Sequence, residues 1–510
     1  MTDRQTRNVL FITADQWRGD ALSAAGHPAV RTPNLDRLAA AGVRFARHFS
    51  NASPCGPSRA SLLTGMYPHN HRSIRNGTPL DRRFTTLALE ARRAGHAPAL
   101  FGYTDTSADP RGLAPLDPAL STYEGVCPGF DPVCLMTESL EPWGEHLRAR
   151  GHAVPHPVKG IWSAPGDTPH GPAVYAAADS DTAFLTDRAL AWLEGRGGKP
   201  WFAHVSYVRP HPPWIAPAPW HAVVDPADCP PPARASEPEV EGAVHPWLGW
   251  RLGSFPTDPG HWLEDRPLDP RALDPAALAR VQATYYGLIA EVDHHIGRLL
   301  DWLERSGEAE NTLVIVTADH GELMGDHWMF GKEGWFDSCF HVPLIVRAPG
   351  VQASGVAGRV VEGFTEHVDL MPTILDTVGL TPPRQCDGRS LRPWLTGETP
   401  ADWRRHAVFA FDFRDVAGGA PETALGLRPE QCSLTVLRGE RYKYVHFPAL
   451  PALLYDLAED PRELRPLRDG LGTAALMRDH AQALLSWRLE NEERTLTHIR
   501  LGEGGMITGS

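Results

Sequence analysis

No segment of this 510-residue chain is apolar for long enough to cross a membrane as a helix, which takes about 20 consecutive residues. No Cys-x-x-Cys pair points to a zinc site, and there is neither an internal repeat nor a low-complexity tract. The apolar stretch Val9–Thr13 is too short for the core of a secretory signal and runs straight into Asp15. Positive charge is in the minority: 49 Lys and Arg against 62 Asp and Glu leave a net charge of −13. That argues against a general nucleic-acid binder, whose affinity would rest on clustered Lys and Arg. It leaves room for an anionic substrate, because a metal ion can reverse the field inside one cleft. Cysteine is sparse. Seven residues, Cys55, Cys127, Cys134, Cys229, Cys339, Cys386 and Cys432, are odd in number and irregularly spaced. They read as reduced thiols of a cytoplasmic protein, not as a disulfide framework. Only Cys55 stands in a segment that asks for chemistry.

What the chain does have is alternating strand and helix pattern. A hydrophobic content of 42% is enough for a large core, and the length suggests more than one domain. Asn8–Ala14 is a continuous apolar run, the pattern of a strand buried on both faces. Thr32-Pro33-Asn34 opens a helix over Leu35–Ala41, with Gly42 as its stop. Further strands are predicted at Ala99–Phe101, Phe202–Tyr207, Thr312–Thr317 and Val342–Arg347. A long helix is predicted from Pro275 to Arg305, where Val281, Leu288, Val292, Ile296 and Leu303 recur at helical spacing. Alternation of this kind predicts an α/β fold: a large, mostly parallel sheet flanked by helices, with functional residues at the carboxyl ends of strands. Residues 215–275 are Pro-rich and aperiodic, and read as an insertion or lid over one face. Past about residue 390 the pattern changes. Short strands at 407–411, 432–437 and 441–447, a hairpin turn at 438–440 and a helix at 476–493 predict a smaller C-terminal α+β subdomain. The division is then 1–390, the large α/β domain, and 391–510, with a small antiparallel sheet, a helix and a tail.

The most informative segment runs Ser53-Pro54-Cys55-Gly56-Pro57-Ser58-Arg59-Ala60-Ser61-Leu62-Leu63-Thr64-Gly65. Arg59 lies one turn after Cys55 if Pro57 starts a helix. A structural Cys beside a surface Arg is one alternative. A tyrosine-phosphatase thiolate is another, but that loop needs five residues between Cys and Arg, and here there are three. Asp15 and Gln16 follow the first strand, and Asp319 and His320 follow the strand at 312–317. These are two ligand pairs at the ends of strands that can be neighbours. Hard oxygen donors fit a divalent cation, and an imidazole shifts the balance toward a transition metal. Any one of them alone would more often be a strand-end cap. His211, in Arg209-Pro-His-Pro-Pro213, and Lys332, in Phe330-Gly-Lys332, read on their own as a loop histidine and a solvated charge. His69 and His71 have ligand spacing, but are read as stabilising the end of the Cys55 helix.

Cys-x-Pro-Ser-Arg followed by Ala-Ser-Leu-Leu-Thr-Gly resembles the type I sulfatases of the alkaline phosphatase superfamily. The resemblance implies an alkaline-phosphatase-like fold and oxidation of Cys55 to formylglycine by a formylglycine-generating enzyme that reads the Pro and Arg at these offsets. The aldehyde hydrates to a geminal diol. One hydroxyl attacks the ester centre and the other expels the bound group. By the same resemblance, Asp15, Gln16, Asp319, His320 and residue 55 hold one divalent metal ion, manganese favoured over calcium. Arg59 holds the nucleophile, His211 is a general acid or leaving-group contact, and Lys332 stabilises charge developing on the substrate. Asn76, Tyr103 and Asp105 are substrate contacts. The first-strand pair is more often Asp-Asp in the family; Gln16 removes one negative charge.

Within the family the chain is most similar to the phosphonate monoester hydrolases. Asp15-Gln-Trp-Arg18, Arg209-Pro-His-Pro-Pro213, Glu440-Arg-Tyr-Lys-Tyr-Val-His-Phe447, Leu485-Ser-Trp-Arg-Leu489 and Arg494-Thr-Leu-Thr-His498 carry that likeness. Gly102-Tyr103-Thr104-Asp105-Thr106 stands where many sulfatases have Gly-Lys-Trp-His. Asp105 departs from the branch, which has Thr there, and a carboxylate repels an anionic substrate unless it is protonated or paired. The expected function is formylglycine- and metal-dependent hydrolysis of monoanionic sulfate monoesters (arylsulfatase activity), with phosphonate monoesters and phosphodiesters also cleaved. The alternative has phosphonate monoesters and phosphodiesters as the main substrates. A catalytically dead binding protein of this fold and a metal phosphatase using the Cys55 thiolate are readings of other kinds. The expected partners are a small anionic ester and a second copy of the chain, in a homodimer or homotetramer, with the tail 494–510 as the subunit contact.

Overall fold

The computed structural model describes residues 8–162, 171–254, 268–468 and 470–508. Among the described residues nine strands precede residue 367: β1 (Asn8–Ala14), β2 (Val43–Phe49), β3 (Ala52–Ser53), β4 (Pro98–Gly102), β5 (Asp131–Leu135), β6 (Phe202–Tyr207), β7 (Thr312–Ala318), β8 (Leu344–Arg347) and β9 (Arg359–Glu366). All but β3 form one eight-stranded sheet in the order β5-β4-β6-β1-β7-β8-β2-β9. Every residue of β1 and β7 is buried, as continuous apolar runs require of strands covered on both faces. Alternation turns Leu10, Ile12, Val314 and Val316 toward one core, and Val9, Phe11, Leu313 and Ile315 toward the other. The helix Pro275–Arg305 covers the first face with Leu288, Val292 and Ile296. Its N-terminus is capped by the Asp274 side chain, which accepts the Ala277 N–H at 2.7 Å. The helices Cys55–Thr64 and Leu370–Thr377 cover the second face with Leu62, Leu63, Leu370 and Ile374.

The α/β architecture with a mostly parallel sheet is as the pattern predicts, with one reversal. The strand expected at Val342–Arg347 is shorter, and it runs antiparallel to both β7 and β2. Residues 319–343 contain only short turns of helix, so the chain returns from β7 without a crossover, and such a return gives an antiparallel neighbour. β2, β5 and β9 escape the pattern. Arg44, Arg47 and His48 interrupt the apolar run of β2, while β5 and β9 are edge strands with exposed residues.

A second sheet contains β10 (Ala407–Asp412), β11 (Ser433–Arg438), β12 (Tyr442–His446) and β13 (Leu453–Asp456). Gly439 donates its N–H to the Tyr442 carbonyl at 2.9 Å, closing the hairpin predicted at 438–440. The helix Leu471–Glu490, which begins five residues earlier than its periodicity suggests, packs Leu484 against this sheet. The sheet is completed from far away in sequence: β3 pairs parallel with β10, Ala52 with Ala410 and Ser53 with Phe411. The segment that delivers Cys55 is therefore an edge strand of the C-terminal sheet.

The last residues form a hairpin of β14 (Ile499–Gly502) and β15 (Gly505–Thr508), with Leu501, Met506 and Ile507 exposed. Within the expected insertion lie the short helices Pro238–Gly242 and Pro246–Gly253; its residues 255–267 lie outside the described residues. All seven cysteines are free thiols, six of them buried. No helix among the described residues is long and apolar enough to cross a membrane.

Candidate active site

Four adjacent strands, β4, β6, β1 and β7, end at the same edge of the large sheet, and the candidate residues follow their carboxyl ends. Ala14 and Ala318 are register partners, so Asp15-Gln16 and Asp319-His320 leave the sheet side by side. The Gln16 N–H donates to Asp319 Oδ1 at 3.1 Å, and the His320 N–H donates to the same oxygen at 2.9 Å. Burial pulls His320 down to about 4 against the opposing pull of Asp319, so its ring is neutral. His320 Nδ1 donates to the Gly321 carbonyl at 3.0 Å, which leaves the Nε2 lone pair facing Cys55 Sγ at 3.2 Å. Asp15, Cys55, Asp319 and His320 thus offer one donor atom each, all within 4.8 Å of one another and all buried.

The helix Cys55–Thr64 begins at the candidate nucleophile and is buried throughout. One turn on, as the spacing predicts, Arg59 spreads its guanidinium under the cluster. Nε donates to Asp319 Oδ2 at 2.9 Å, Nη2 reaches Asp15 Oδ2 at 3.4 Å, and Nη1 donates to the Tyr103 carbonyl at 3.0 Å and to Ser206 Oγ at 2.7 Å. Against its burial, His320, Arg59 and Lys332 hold the Asp319 carboxyl below its ordinary value. Burial and the facing Asp319 raise Asp15. Burial, followed by Asp15, pushes the Cys55 thiol well above its usual range.

Lys332 comes in from the loop after β7. Its ammonium lies 3.1 Å from Cys55 Sγ, 2.9 Å from Gln16 Oε1 and 4.0 Å from Asp15 Oδ1. Tyr103 follows Gly102, which has φ of +105°; a Cβ there would lie 2.0 Å from the Ser206 carbonyl oxygen, so only glycine lets β4 turn against β6 at this point. The Tyr103 hydroxyl donates to Asp15 Oδ2, and its ring lies 4.2 Å from the Arg59 guanidinium. Asn76 Oδ1 accepts the Gly56 N–H at 2.8 Å. Asp105 is buried beside the cluster with φ of +47°; burial, opposed by Arg59, raises its carboxyl to about 8. His211 lines the same cavity, with Nδ1 donating to the Pro212 carbonyl at 2.7 Å.

Every predicted site residue except Gln16, Arg59, Asp319 and His320 borders a single cavity of about 660 Å³, and those four lie immediately beneath it. His69 and His71 stay outside. His71 Nε2 donates to Ser61 Oγ at 2.9 Å, and His69 Nε2 donates to the Asn491 carbonyl at 2.8 Å. Three features of the site have little sequence signal. Ser206 is a polar residue inside an otherwise unremarked strand end. Glu322 follows His320 by two residues without belonging to either predicted pair. The aromatic wall of Trp247, Trp250, Phe411 and Phe413 comes from the 215–275 segment and the C-terminal sheet, and no local pattern joins the two.

The family profile described as Sulfatase matches residues 7–380, and that described as N-sulphoglucosamine sulphohydrolase, C-terminal, matches residues 325–490. The chain is 42% identical to the multifunctional alkaline phosphatase superfamily protein PehA of Trinickia caryophylli, over 98% of this chain and 99% of that protein. The crystal structure of the phosphonate monoester hydrolase of Agrobacterium radiobacter is 46% identical, covers 99% of this chain and 100% of its own, and superposes with a TM-score of 0.94. The phosphonate monoester hydrolase from Silicibacter pomeroyi is 42% identical over 98% of this chain and 99% of its own, with a TM-score of 0.92. Several sulfatases match at 24–28% identity. Fold and site together define an alkaline-phosphatase-like ester hydrolase. The chain belongs to the sulfatase family.

Proposed function

We propose that this enzyme hydrolyses monoanionic esters of phosphorus and sulfur, phosphonate monoesters and phosphodiesters ahead of sulfate monoesters, using a formylglycine made from Cys55 and one divalent metal ion. The observation that carries this reading is the convergence of Asp15, Cys55, Asp319 and His320 within 4.8 Å, with Lys332 beside Cys55 and Arg59 beneath. Two carboxylates and one neutral imidazole suit a hard divalent ion with some affinity for nitrogen, manganese before calcium. Asp15, Gln16, Asp319, His320 and residue 55 would hold it. When bound, it supplies Lewis-acid charge at the reacting centre. A hydrated formylglycine supplies one hydroxyl to attack and a second to release the bound group.

The rest is done by side chains already in place. Arg59 holds Asp15 and Asp319 at fixed separation. Lys332 meets charge developing on a substrate oxygen. Asn76 has its carbonyl engaged by Gly56, which leaves its amide hydrogens for the substrate. His211, with Nδ1 tied to a carbonyl, carries a proton on Nε2 to the leaving oxygen. A neutral Asp105 admits a monoanion, and dianionic phosphate monoesters are expected to be poorer substrates.

The order among monoanions follows from room. A phosphonate monoester or phosphodiester carries an organic group on either side of phosphorus; a sulfate monoester carries one. A cavity of about 660 Å³ walled by Trp247, Trp250, Phe330, Phe411 and Phe413 suits two. Asp105, where the phosphonate branch has Thr, favours a second reading in which sulfate monoesters lead. The test is kcat/KM for 4-nitrophenyl phenylphosphonate against 4-nitrophenyl sulfate, on manganese-loaded protein with residue 55 confirmed as formylglycine. With the leaving group held constant, the phosphonate is expected to lead by about tenfold or more. A lead for sulfate that Asp105→Thr reverses would establish the second reading.

We also propose that the chain self-associates through its C-terminal hairpin, whose exposed Leu501, Met506 and Ile507 suit a subunit contact. Removing residues 494–510 is expected to lower the mass measured by light scattering to that of one chain. An unchanged mass would reject the hairpin as the contact.

A further inference from the structure

Gln16 lies between two groups that make opposite demands on a carboxamide. Lys332 Nζ, which can only donate, is 2.9 Å from Gln16 Oε1. Glu322, which as a carboxylate can only accept, takes a hydrogen bond from Gln16 Nε2 through its Oε2. Both partners require the same orientation of an amide whose two ends have nearly the same shape: oxygen toward Lys332 and the donor cluster, nitrogen away from it. Glu322 is itself fully buried and held in place, its Oε1 accepting the backbone N–H groups of Met324 at 2.8 Å and Gly331 at 2.7 Å. Gly331 precedes Lys332, so one carboxylate fixes both the amide of Gln16 and the loop that carries the lysine. The Gln16 backbone is pinned as well. Its N–H donates to Asp319, and its carbonyl accepts the Tyr285 hydroxyl at 2.9 Å.

We propose that Glu322 is a positioning residue of this site. It orients the Gln16 carboxamide so that Oε1 faces the cluster, and Gln16 and Glu322 act as a unit that places one layer further out the negative charge position 16 does not carry. The metal part of this inference rests on the reading of the cluster as a divalent-ion site; the hydrogen-bonded pair does not.

The pair admits an exchange that conserves every one of these hydrogen bonds. In Gln16→Glu with Glu322→Gln, one oxygen of the new carboxylate at position 16 still faces Lys332 and the other accepts from the new amide. The amide oxygen at 322 still accepts from Met324 and Gly331. Gln16→Glu alone sets two buried carboxylates against each other, and Glu322→Gln alone lets the Gln16 amide turn over. Three readouts are taken on the wild-type protein and the three variants: Mn2+ affinity of chelator-treated protein by calorimetry, thermal midpoint, and kcat/KM. Each single variant is expected to lose about 10–100-fold in Mn2+ affinity and in kcat/KM, and the double variant to recover most of both. The midpoints should show the same coupling, low in Gln16→Glu and restored in the double. A Glu322→Gln protein that matches wild type in all three measurements would overturn the proposal, as would losses in the double variant that simply add. If wild-type protein takes up no Mn2+, the metal reading fails, and the pair stands or falls on the coupling in midpoint and kcat/KM.

Discussion

Cys55→Ser is expected to react once and stop. Its hydroxyl occupies the position of the attacking oxygen, beside Lys332 and the His320 Nε2 lone pair, so it can take up the acid portion of an activated ester. What it lacks is a second oxygen on the same carbon. A formylglycine hydrate expels the bound group by collapsing to the aldehyde; a serine ester has to wait for water to attack it from outside the residue. Turnover should fall by about ten-thousand-fold or more, the scale seen when a covalent nucleophile is removed. Mass spectrometry of Cys55→Ser incubated with substrate should find a stoichiometric adduct on the 55 peptide, and Cys55→Ala should give neither adduct nor turnover. The companion measurement is the mass of the same peptide from active wild-type protein. An unmodified cysteine in fully active enzyme would sink the formylglycine mechanism.

The second large effect is on the frame of the site. Arg59 is buried between Asp15 and Asp319, with side-chain exposures of 1%, 1% and 0%. Its three nitrogens divide their contacts among four residues, a division of labour that a planar fork can manage and a point charge cannot. Arg59→Ala leaves two buried carboxylates facing each other, and removing one partner of a buried ionic network costs about 3–5 kcal/mol. In chelator-treated protein the thermal midpoint should therefore drop well below that of wild type. Added Mn2+ should restore part of the difference, because a dication binding only the folded state both neutralises the carboxylates and stabilises by mass action. Arg59→Lys should fall between the two. It keeps a charge but cannot reach Asp319, Asp15, the Tyr103 carbonyl and Ser206 together. An Arg59→Ala protein as stable as wild type without metal would mean that the carboxylates are neutralised in another way.

Contiguous residues were enough to place the strands at 8–14 and, to within one residue, at 312–318, the helix Pro275–Arg305, a helical turn between Cys55 and Arg59, and the pairs Asp15-Gln16 and Asp319-His320 at strand ends. Each of these is written as an unbroken apolar run, a helical period or a motif of fixed offsets, and a full-length strand or helix needs nothing more to be recognised. Even the neighbouring of these two pairs was within reach, because both follow doubly buried strands that belong at the centre of one sheet. The rest was settled by the path of the chain in space. β8 is reversed because its connection lacks a crossover helix, a fact about the path between strands and not about either strand. The residues leading to Cys55 complete a sheet made more than 350 positions later, and the aromatic wall of the cavity joins segments on either side of the large sheet's last strands. Arg59 finds Asp319 across 260 residues and Gln16 finds Glu322 across 306. A carboxylate two positions after His320 looks the same in sequence whether it faces solvent or holds an amide. Its role comes from burial and from the partner that burial brings to it, and both are properties of the folded chain.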